Sequence, residues 1–189
     1  MTVRTFSNAV GFDDAPFSRA HRGDVTVVGA VFARTRFDGL LTGKVRRDGA
    51  NATDRIARLV DASRFREHIQ VVLLQGIAMA GFNVVDIKAL HRRLGMPVLI
   101  AVRRRPDMAA IRSALLSKVA GGARKWRIIE KTGPMEPVAG IFVQRAGLGI
   151  QEADALISRT AVHGRLPEPL RVAHIIAGGL VAGHSRGRV

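Results

Sequence analysis

Cysteine is absent from the 189 residues of the sequence. This absence excludes disulfide bonds, thiolate nucleophiles and cysteine-ligated zinc, and it favours a reducing compartment. Residues 1–10 lack the apolar segment of a signal peptide. The longest apolar stretch, residues 172–183, is interrupted by His174 and by glycines, and it is too short to span a bilayer. We therefore expect a cytoplasmic protein with no membrane partner.

Acidic residues are also scarce, because 15 Asp and Glu stand against 30 Lys and Arg, which gives a formal net charge of +15. Most of the cations are arginine, whose guanidinium group can bind two phosphate oxygens at once. A GC-rich genome would explain arginine in place of lysine, but it would not explain the excess of cations over acids. The charge therefore predicts a nucleic acid, or another phosphate polymer, as the partner.

Nucleotide-binding signatures are missing as well. Gly76 and Gly81 have neither the spacing of a dinucleotide fingerprint nor the Lys-Ser/Thr pair of a P-loop. The sequence therefore has no phosphate-binding motif that would support one possible function, an enzyme acting on a small phosphorylated substrate.

Apolar runs and turn residues predict one α/β domain over residues 1–189. Strands are expected at hairpin spacing over residues 6–12, 25–33 and 40–47, and buried strands over residues 69–74 and 97–102. Helices are expected from Asn51, from Asn83, after Asp107, and over residues 151–161 and 169–181, with shorter strands over residues 126–130 and 138–144.

This order, three antiparallel strands and then alternating helices and strands, is typical of a ribonuclease H-like mixed sheet with helices on both faces. Other α/β folds can begin in a similar way. Residues 123–189 would form a C-terminal elaboration of the single domain.

The stretch "VVLLQGIAMAGFNVVDI" places Gln75 at the end of a buried strand. In a ribonuclease H-like sheet the first and fourth strands are parallel neighbours, so Gln75 would meet Asp13 or Asp14, only one of which can face it. Asp48 would approach the same edge from the turn after the third strand. Oxygen ligands gathered in this way bind Mg²⁺ or Mn²⁺. The structural alternative is that all three aspartates simply form turns.

The residues after Gln75 are candidates for contact with a substrate. Glycine lets a ligand approach the backbone, so Gly76, Gly81 and Phe82 could line a pocket for a flipped base. A tight strand-to-helix turn explains the same residues without a ligand. Asn83 is a further candidate, and with Asp86 it can equally well start the next helix.

Basic and imidazole side chains near the C-terminus complete the set of candidates. Arg171 and His174 are three residues apart and share one face of a predicted helix. His174 can act as a general acid or base, or contact a phosphate. Arg104 within the run 103–105, and Arg186 with Arg188 in the tail, are candidates for phosphate contacts, although a charge run is often only a solvated surface.

Five segments resemble a family known as domain of unknown function 99, which is related to endonuclease V and has members called endonuclease dU. They cover nearly the whole chain in the order of the family: "VGFDDAPF" (10–17), "RRDGANATDRI" (46–56), "LLQGIAMAGFNVVDI" (73–87), "VRRRPD" (102–107) and "LPEPLRVAHIIAGGLVAGHSRGR" (166–188). The resemblance implies a ribonuclease H-like fold and metal-dependent cleavage of DNA near a deaminated, deoxyuridine-type base.

The resemblance also implies roles for individual residues. Asp13 matches the aspartate that ends the first strand, and Asp48 matches the aspartate of the turn before the first helix. The aspartate of the fourth strand is replaced here by Gln75, and a second acid in the Asp48 turn is replaced by Asn51. An amide oxygen is a poorer ligand than a carboxylate, and Asp14 could compensate.

We therefore predict catalytic roles for Asp13, Asp14, Asp48 and His174, metal ligation by Asp13, Asp48 and Gln75, and substrate binding by Gln75, Gly76, Gly81, Phe82, Asn83, Arg104 and Arg171. The predicted function is a divalent-metal-dependent endonuclease on deaminated DNA. The alternative is a catalytically impaired nucleic-acid-binding protein of the same fold, because two family carboxylates are amides here.

Overall fold

A seven-stranded sheet forms the centre of the structure, a computed structural model that describes residues 3–184. The candidates Arg186 and Arg188 lie outside the described residues. The strands of the sheet are β1 (Asn8–Asp14), β2 (Asp24–Ala33), β3 (Arg36–Arg46), β4 (Val71–Leu74), β7 (Val98–Val102), β8 (Glu136–Val138) and β9 (Ile141–Ala146). Two short strands, β5 (Ala78–Met79) and β6 (Asn83–Val84), form a separate hairpin.

The strand order across the sheet is β3-β2-β1-β4-β7-β9-β8. The first three strands are antiparallel, whereas β1, β4 and β7 run parallel to one another. This confirms the prediction that the first and fourth strands are parallel neighbours. Their carboxyl ends consequently lie at one edge of the sheet, which is where ligands bind in open α/β sheets.

Helices cover both faces of the sheet, as predicted. They are α1 (Ala52–Asp61), α2 (Ile87–Leu94), α3 (Met108–Lys118), α4 (Gly122–Thr132), α5 (Ile150–Thr160) and α6 (Glu168–Ala182). Alternate residues of β1 reach different layers, since Phe12 joins the core with α1 to α4 whereas Ala9 joins the core with α5 and α6. None of the helices within residues 3–184 is long and apolar enough to cross a membrane.

Two predicted elements are wrong. Asn83 does not open a helix: it lies in β6, and α2 begins at Ile87, where the carboxylate of Asp86 accepts a hydrogen bond from the Ala89 amide at 2.9 Å. Residues 126–130 are part of the helix α4 and not a strand. The buried positions of α4 recur at Gly122, Lys125 and Ile129, which is a helical period that a charged residue hides in the sequence.

Candidate active site

Asp13 and Gln75 occupy adjacent positions at the edge where β1 and β4 end. Phe12 pairs with Leu74 in the parallel register, and the amide of Gln75 donates a hydrogen bond to the carbonyl oxygen of Phe12 at 3.3 Å. The crossover therefore brings the acid and the amide side by side, although they are 62 residues apart in the chain.

Asp13 forms a short side-chain pair with an imidazole at this edge. Its Oδ2 lies 2.7 Å from Nδ1 of His174 on α6, and only 7% of the residue is exposed. The helix can approach β1 because residue 11 is glycine, and a Cβ at Gly11 would overlap the backbone of Pro169. The backbone contact between β1 and α6 thus sets the position of the imidazole.

The charges around His174 favour its protonated form. The hydrogen bond to Asp13 raises the pKa of the imidazole, and this effect exceeds the opposing effect of burial. The charge of Arg103 also acts to lower this pKa, which places that guanidinium near the pair. An imidazolium can donate a proton or bind a phosphate oxygen, so the pair is suited to either task.

Asp14 projects to the opposite face of β1 and has a different environment. Its Oδ2 accepts a hydrogen bond from the amide of Ala80 at 3.1 Å. Burial and the neighbouring charge of Asp13 raise the pKa of Asp14 to about 6. Part of the Asp14 population is therefore protonated in mildly acidic solution.

Gln75 has an unusual feature, a buried side-chain oxygen. Within residues 3–184 its Oε1 has no hydrogen-bond partner. The residue lines an open cavity of about 410 Å³ together with Val102, Arg103, Arg104 and Leu166. A buried acceptor without a donor costs stability, so a ligand that supplies a donor or a cation would relieve this cost.

Asp48 lies next to the loop that follows β5, where most of its polar atoms are used. Its Oδ1 accepts a hydrogen bond from the amide of Phe82 at 2.8 Å, and its Oδ2 pairs with Nε of Arg47 at 3.1 Å. Its carbonyl oxygen accepts a hydrogen bond from the buried Lys125. Gly81 is required beside it, because its φ is +83° and a Cβ there would overlap the Asp48 carboxylate.

Asn83 is completely buried and all its side-chain polar groups have partners. Its Oδ1 accepts a hydrogen bond from the Ala52 amide at the start of α1, while its Nδ2 donates to the carbonyl of Arg46 and to Oδ1 of Asn51, both at 2.8 Å. Asn51 stands at the N-cap position of α1, but its side chain does not cap that helix. The Asn83 side chain therefore caps the helix from another part of the chain.

The other predicted residues are distributed around this edge. Gly76 directly follows Gln75 with a φ of +103°, a left-handed turn of the backbone. Arg171 binds Glu168 of the same helix through two nitrogens, with Nε 2.9 Å from Oε1 and Nη2 2.7 Å from Oε2. Glu168 is buried and also accepts a hydrogen bond from the His163 amide. Arg171 thus holds the first turn of α6, within one helical turn of His174.

The donors that a divalent cation could use are limited. Within residues 3–184, no group of three or more His, Asp or Glu side chains is placed to hold a metal ion. Protein-bound Mg²⁺ commonly uses one or two carboxylates and completes its shell with water and substrate phosphate. The Asp13 carboxylate and the unpaired Oε1 of Gln75 fit such a partial set, whereas both carboxylate oxygens of Asp48 already have partners.

Comparison with known proteins identifies the family. The family model described as endonuclease dU matches residues 5–181. The chain belongs to the endonuclease dU family. A UPF0215 protein of Deinococcus radiodurans is 58% identical over 182 residues, which cover 96% of this chain and 93% of that protein. Membership of the endonuclease dU family supports a nuclease-like function on nucleic acid.

Solved structures agree with the family and the fold. The crystal structure of a protein of unknown function from Archaeoglobus fulgidus has a TM-score of 0.85 and 33% identity, covering 92% of this chain and 97% of that one. Endonuclease V of Ciona intestinalis, in complex with a 24-mer DNA containing an inosine, has a TM-score of 0.61 and 14% identity, covering 96% and 92%. These likenesses confirm the predicted ribonuclease H-like fold for this endonuclease dU relative.

Sequence reasoning missed two residues that shape the site. Lys125 directly precedes the residues that the sequence predicts as a strand, and its role depends on a contact with Asp48 that spans 77 residues. The second residue, Glu168, lies within the family segment 166–188. Its position, three residues before Arg171 in a helix, was the available signal for an ion pair.

Proposed function

We propose that this protein is a divalent-metal-dependent endonuclease that cleaves DNA at or near a deaminated, deoxyuridine-type base. The observation that carries the proposal is the pair of Asp13 and His174 beside Oε1 of Gln75, which has no hydrogen-bond partner among residues 3–184. A carboxylate, an imidazole and an oxygen acceptor at one strand edge provide the groups that phosphodiester hydrolysis requires. Family membership and the DNA complex of an endonuclease V with the same fold support the substrate class.

Each residue has a role in this proposal. Asp13 and Gln75 would hold Mg²⁺ or Mn²⁺, which when bound supplies a Lewis acid and an activated water. His174, held by Asp13, donates a proton to the leaving oxygen or binds a non-bridging phosphate oxygen. Arg103 and Arg104 border the cavity next to Gln75 and orient the phosphate of the strand.

The segment after Gln75 would receive the base. Gly76 turns the backbone directly after Gln75, and the Phe82 amide donates a hydrogen bond to the Asp48 carboxylate, which fixes the far end of the segment. Because Asn83 is buried with its side-chain polar groups paired, it contributes by fixing this segment to α1 and not through a free polar atom. Asp48 as a metal ligand stays a prediction, and so does a direct substrate contact by Arg171.

The test is nicking of a uracil-containing duplex in the presence of Mn²⁺ or Mg²⁺. We expect nicking by the wild-type chain and its loss in Asp13→Ala, with an undamaged duplex and a chelator as controls. Asp154→Ala on the exposed surface of α5 is the matched control for loss of a carboxylate. Unchanged nicking in Asp13→Ala would place the centre elsewhere.

A second candidate function, a nucleic-acid-binding protein without catalysis, is favoured by one observation. An amide occupies the strand-end position of Gln75, and the described residues offer no third acidic or imidazole donor there. Gln75→Asp decides between the two proposals. Nicking that appears only in this variant would identify the natural protein as a binder, whereas nicking by the wild-type chain supports the nuclease.

A further inference from the structure

A second cavity is bordered by Asp48, whose carboxylate accepts a hydrogen bond from the loop that follows β5. It measures about 320 Å³ and is lined by Arg22, Arg46, Arg47, Lys118 and Asp48. Four cations therefore surround one carboxylate. Recesses lined by one sign of charge concentrate counter-ions, and a recess of this size can hold a phosphate group with its sugar.

The cations of this cavity are not equivalent. Arg47 is committed to the protein, since it pairs with Asp48 and donates to the carbonyl oxygens of Arg19 and His21. Among residues 3–184, the Arg46 side chain has only a long contact of 3.9 Å with the exposed Asp24 carboxylate. The ammonium group of Lys118 forms no hydrogen bond or ion pair within the part of the chain that the structure describes.

Arg22 also keeps donors for a ligand. One of its terminal nitrogens donates to the carbonyl oxygens of Arg19 and His21, each at 3.2 Å. The single carboxylate of the cavity, Asp48, is neutralised by Arg47. The lining consequently presents three cations with unused donors and no unpaired acid, which is the composition of an anion site and not of a cation site.

The cavity is close to the candidate active site. The amide of Ala80 donates to Asp14, and the carbonyl of the same residue accepts from the Asp48 amide at 2.9 Å. Asp14 at the end of β1 and Asp48 in the cavity are thus separated by one residue of the loop. A nucleic-acid strand that reaches the strand edge would pass over this loop and into the cavity.

We propose that Arg22, Arg46 and Lys118 form a phosphate subsite for the nucleic-acid strand whose cleavage is proposed above, one or more linkages away from the cleaved bond. The inference rests on the proposed function for its ligand class. The site binds the phosphodiester of a strand through its charge and does not read the base.

The experiment compares the double variant Arg46→Gln/Lys118→Gln with the matched double variant Arg92→Gln/Arg159→Gln, which removes two exposed cations elsewhere. Binding of a labelled single-stranded DNA is measured by anisotropy, with a chelator present, over a series of salt concentrations. We expect the cavity variant to bind about tenfold more weakly at low salt and its log–log salt slope to fall by about 1. The control variant should stay within twofold of the wild type.

A scan of neutral methylphosphonate linkages locates the contact. In the wild type, one or two positions should weaken binding when neutralised, and in the cavity variant those positions should lose their effect. Equal affinity and salt slope for both double variants would overturn the subsite. So would a result in which inorganic phosphate competes with the labelled DNA but no methylphosphonate position weakens binding. If wild-type protein fails to bind DNA at all, the proposed function itself fails, which separates the two results.

Discussion

The two faces of the sheet differ at the point where β1 ends, and Asp13 and Asp14 belong one to each face. On the Asp13 face, the carboxylate meets an imidazole, and a neighbouring amide oxygen has no donor within the described residues. On the Asp14 face, Asp14 and Asp48 both accept hydrogen bonds from backbone amides of the loop of residues 80–82. The first face retains groups that can still bind something, whereas the second uses its acids to hold a loop.

This difference separates side chains that are available to a substrate from side chains that hold the structure together. Reactive groups must keep donors or acceptors for a substrate, so incomplete pairing is expected at a catalytic centre. Acids that already accept backbone hydrogen bonds fix the shape of a surface instead. The two proposals accordingly give cleavage to the Asp13 face and strand binding to the Asp48 face, and the following predictions test this division.

The largest expected effect is on catalysis by the Asp13 face. His174→Ala should reduce nicking of a uracil-containing duplex about 100-fold or more, because it removes the positioned proton donor. His163→Ala is the matched control: this histidine also contacts an acid, Glu168, but lies away from Asp13. The measurement is the single-turnover nicking rate for each variant.

The pH dependence of that rate identifies the role of His174. Since Asp13 raises the pKa of this imidazole, a protonated donor would make the wild-type rate fall as pH rises through that pKa. His174→Ala should lose this alkaline decline as well as the rate. Equal losses of nicking rate in the two histidine variants would contradict a catalytic role of His174. An alkaline decrease of the rate that persists in His174→Ala would contradict it as well.

Local sequence patterns are sufficient to predict the strand edge. The apolar runs of β1 and β4 are continuous, and one topological rule brings Asp13 next to Gln75. The pairing of His174 with Asp13 required more, because it depends on Gly11 admitting the backbone of α6. The sequence predicted both side chains as candidates but not their contact.

The other face was much harder to predict. Asn83 followed by Asp86 has the pattern of a helix start, yet the Asn83 amide instead caps α1 from 31 residues away. Lys125 reaches Asp48 from a helix that resembled a strand in sequence. Such contacts join distant segments through single side chains, and neither apolar periodicity nor turn chemistry carries information about them.

An intermediate effect is expected on stability from Asp14. The native pKa of about 6 exceeds the unfolded value of 3.8, so between these pH values the native chain keeps a proton that the unfolded chain releases. Stability should therefore fall as pH rises from about 4 to 6 and then remain reduced. Asp14→Asn should remove this penalty and raise the free energy of unfolding by about 2 kcal/mol near pH 8, with no gain near pH 4.

Urea unfolding at the two pH values measures the Asp14 effect, and Asp154→Asn provides a control on the exposed face of α5. The asparagine can still accept the Ala80 amide, so the hydrogen bond is kept while the charge is lost. A loss of stability of Asp14→Asn near pH 8 would mean that the ionised carboxylate is needed, for instance to hold a cation. Asp14 would then belong with Asp13 among the groups that bind a ligand.

The smallest expected effect concerns Asp48, and it bears on both proposals. Asp48→Asn keeps an acceptor for the Phe82 amide but loses the ion pair with Arg47, which should cost about 1 kcal/mol of unfolding free energy. Nicking should stay within a few-fold of the wild-type rate, and single-stranded DNA should bind more tightly because the cavity gains a positive charge. Asp38→Asn, which breaks the comparable pair with Arg36, is the control. A 100-fold loss of nicking at unchanged stability would instead show that Asp48 works beside Asp13, and the two faces would then form a single catalytic centre.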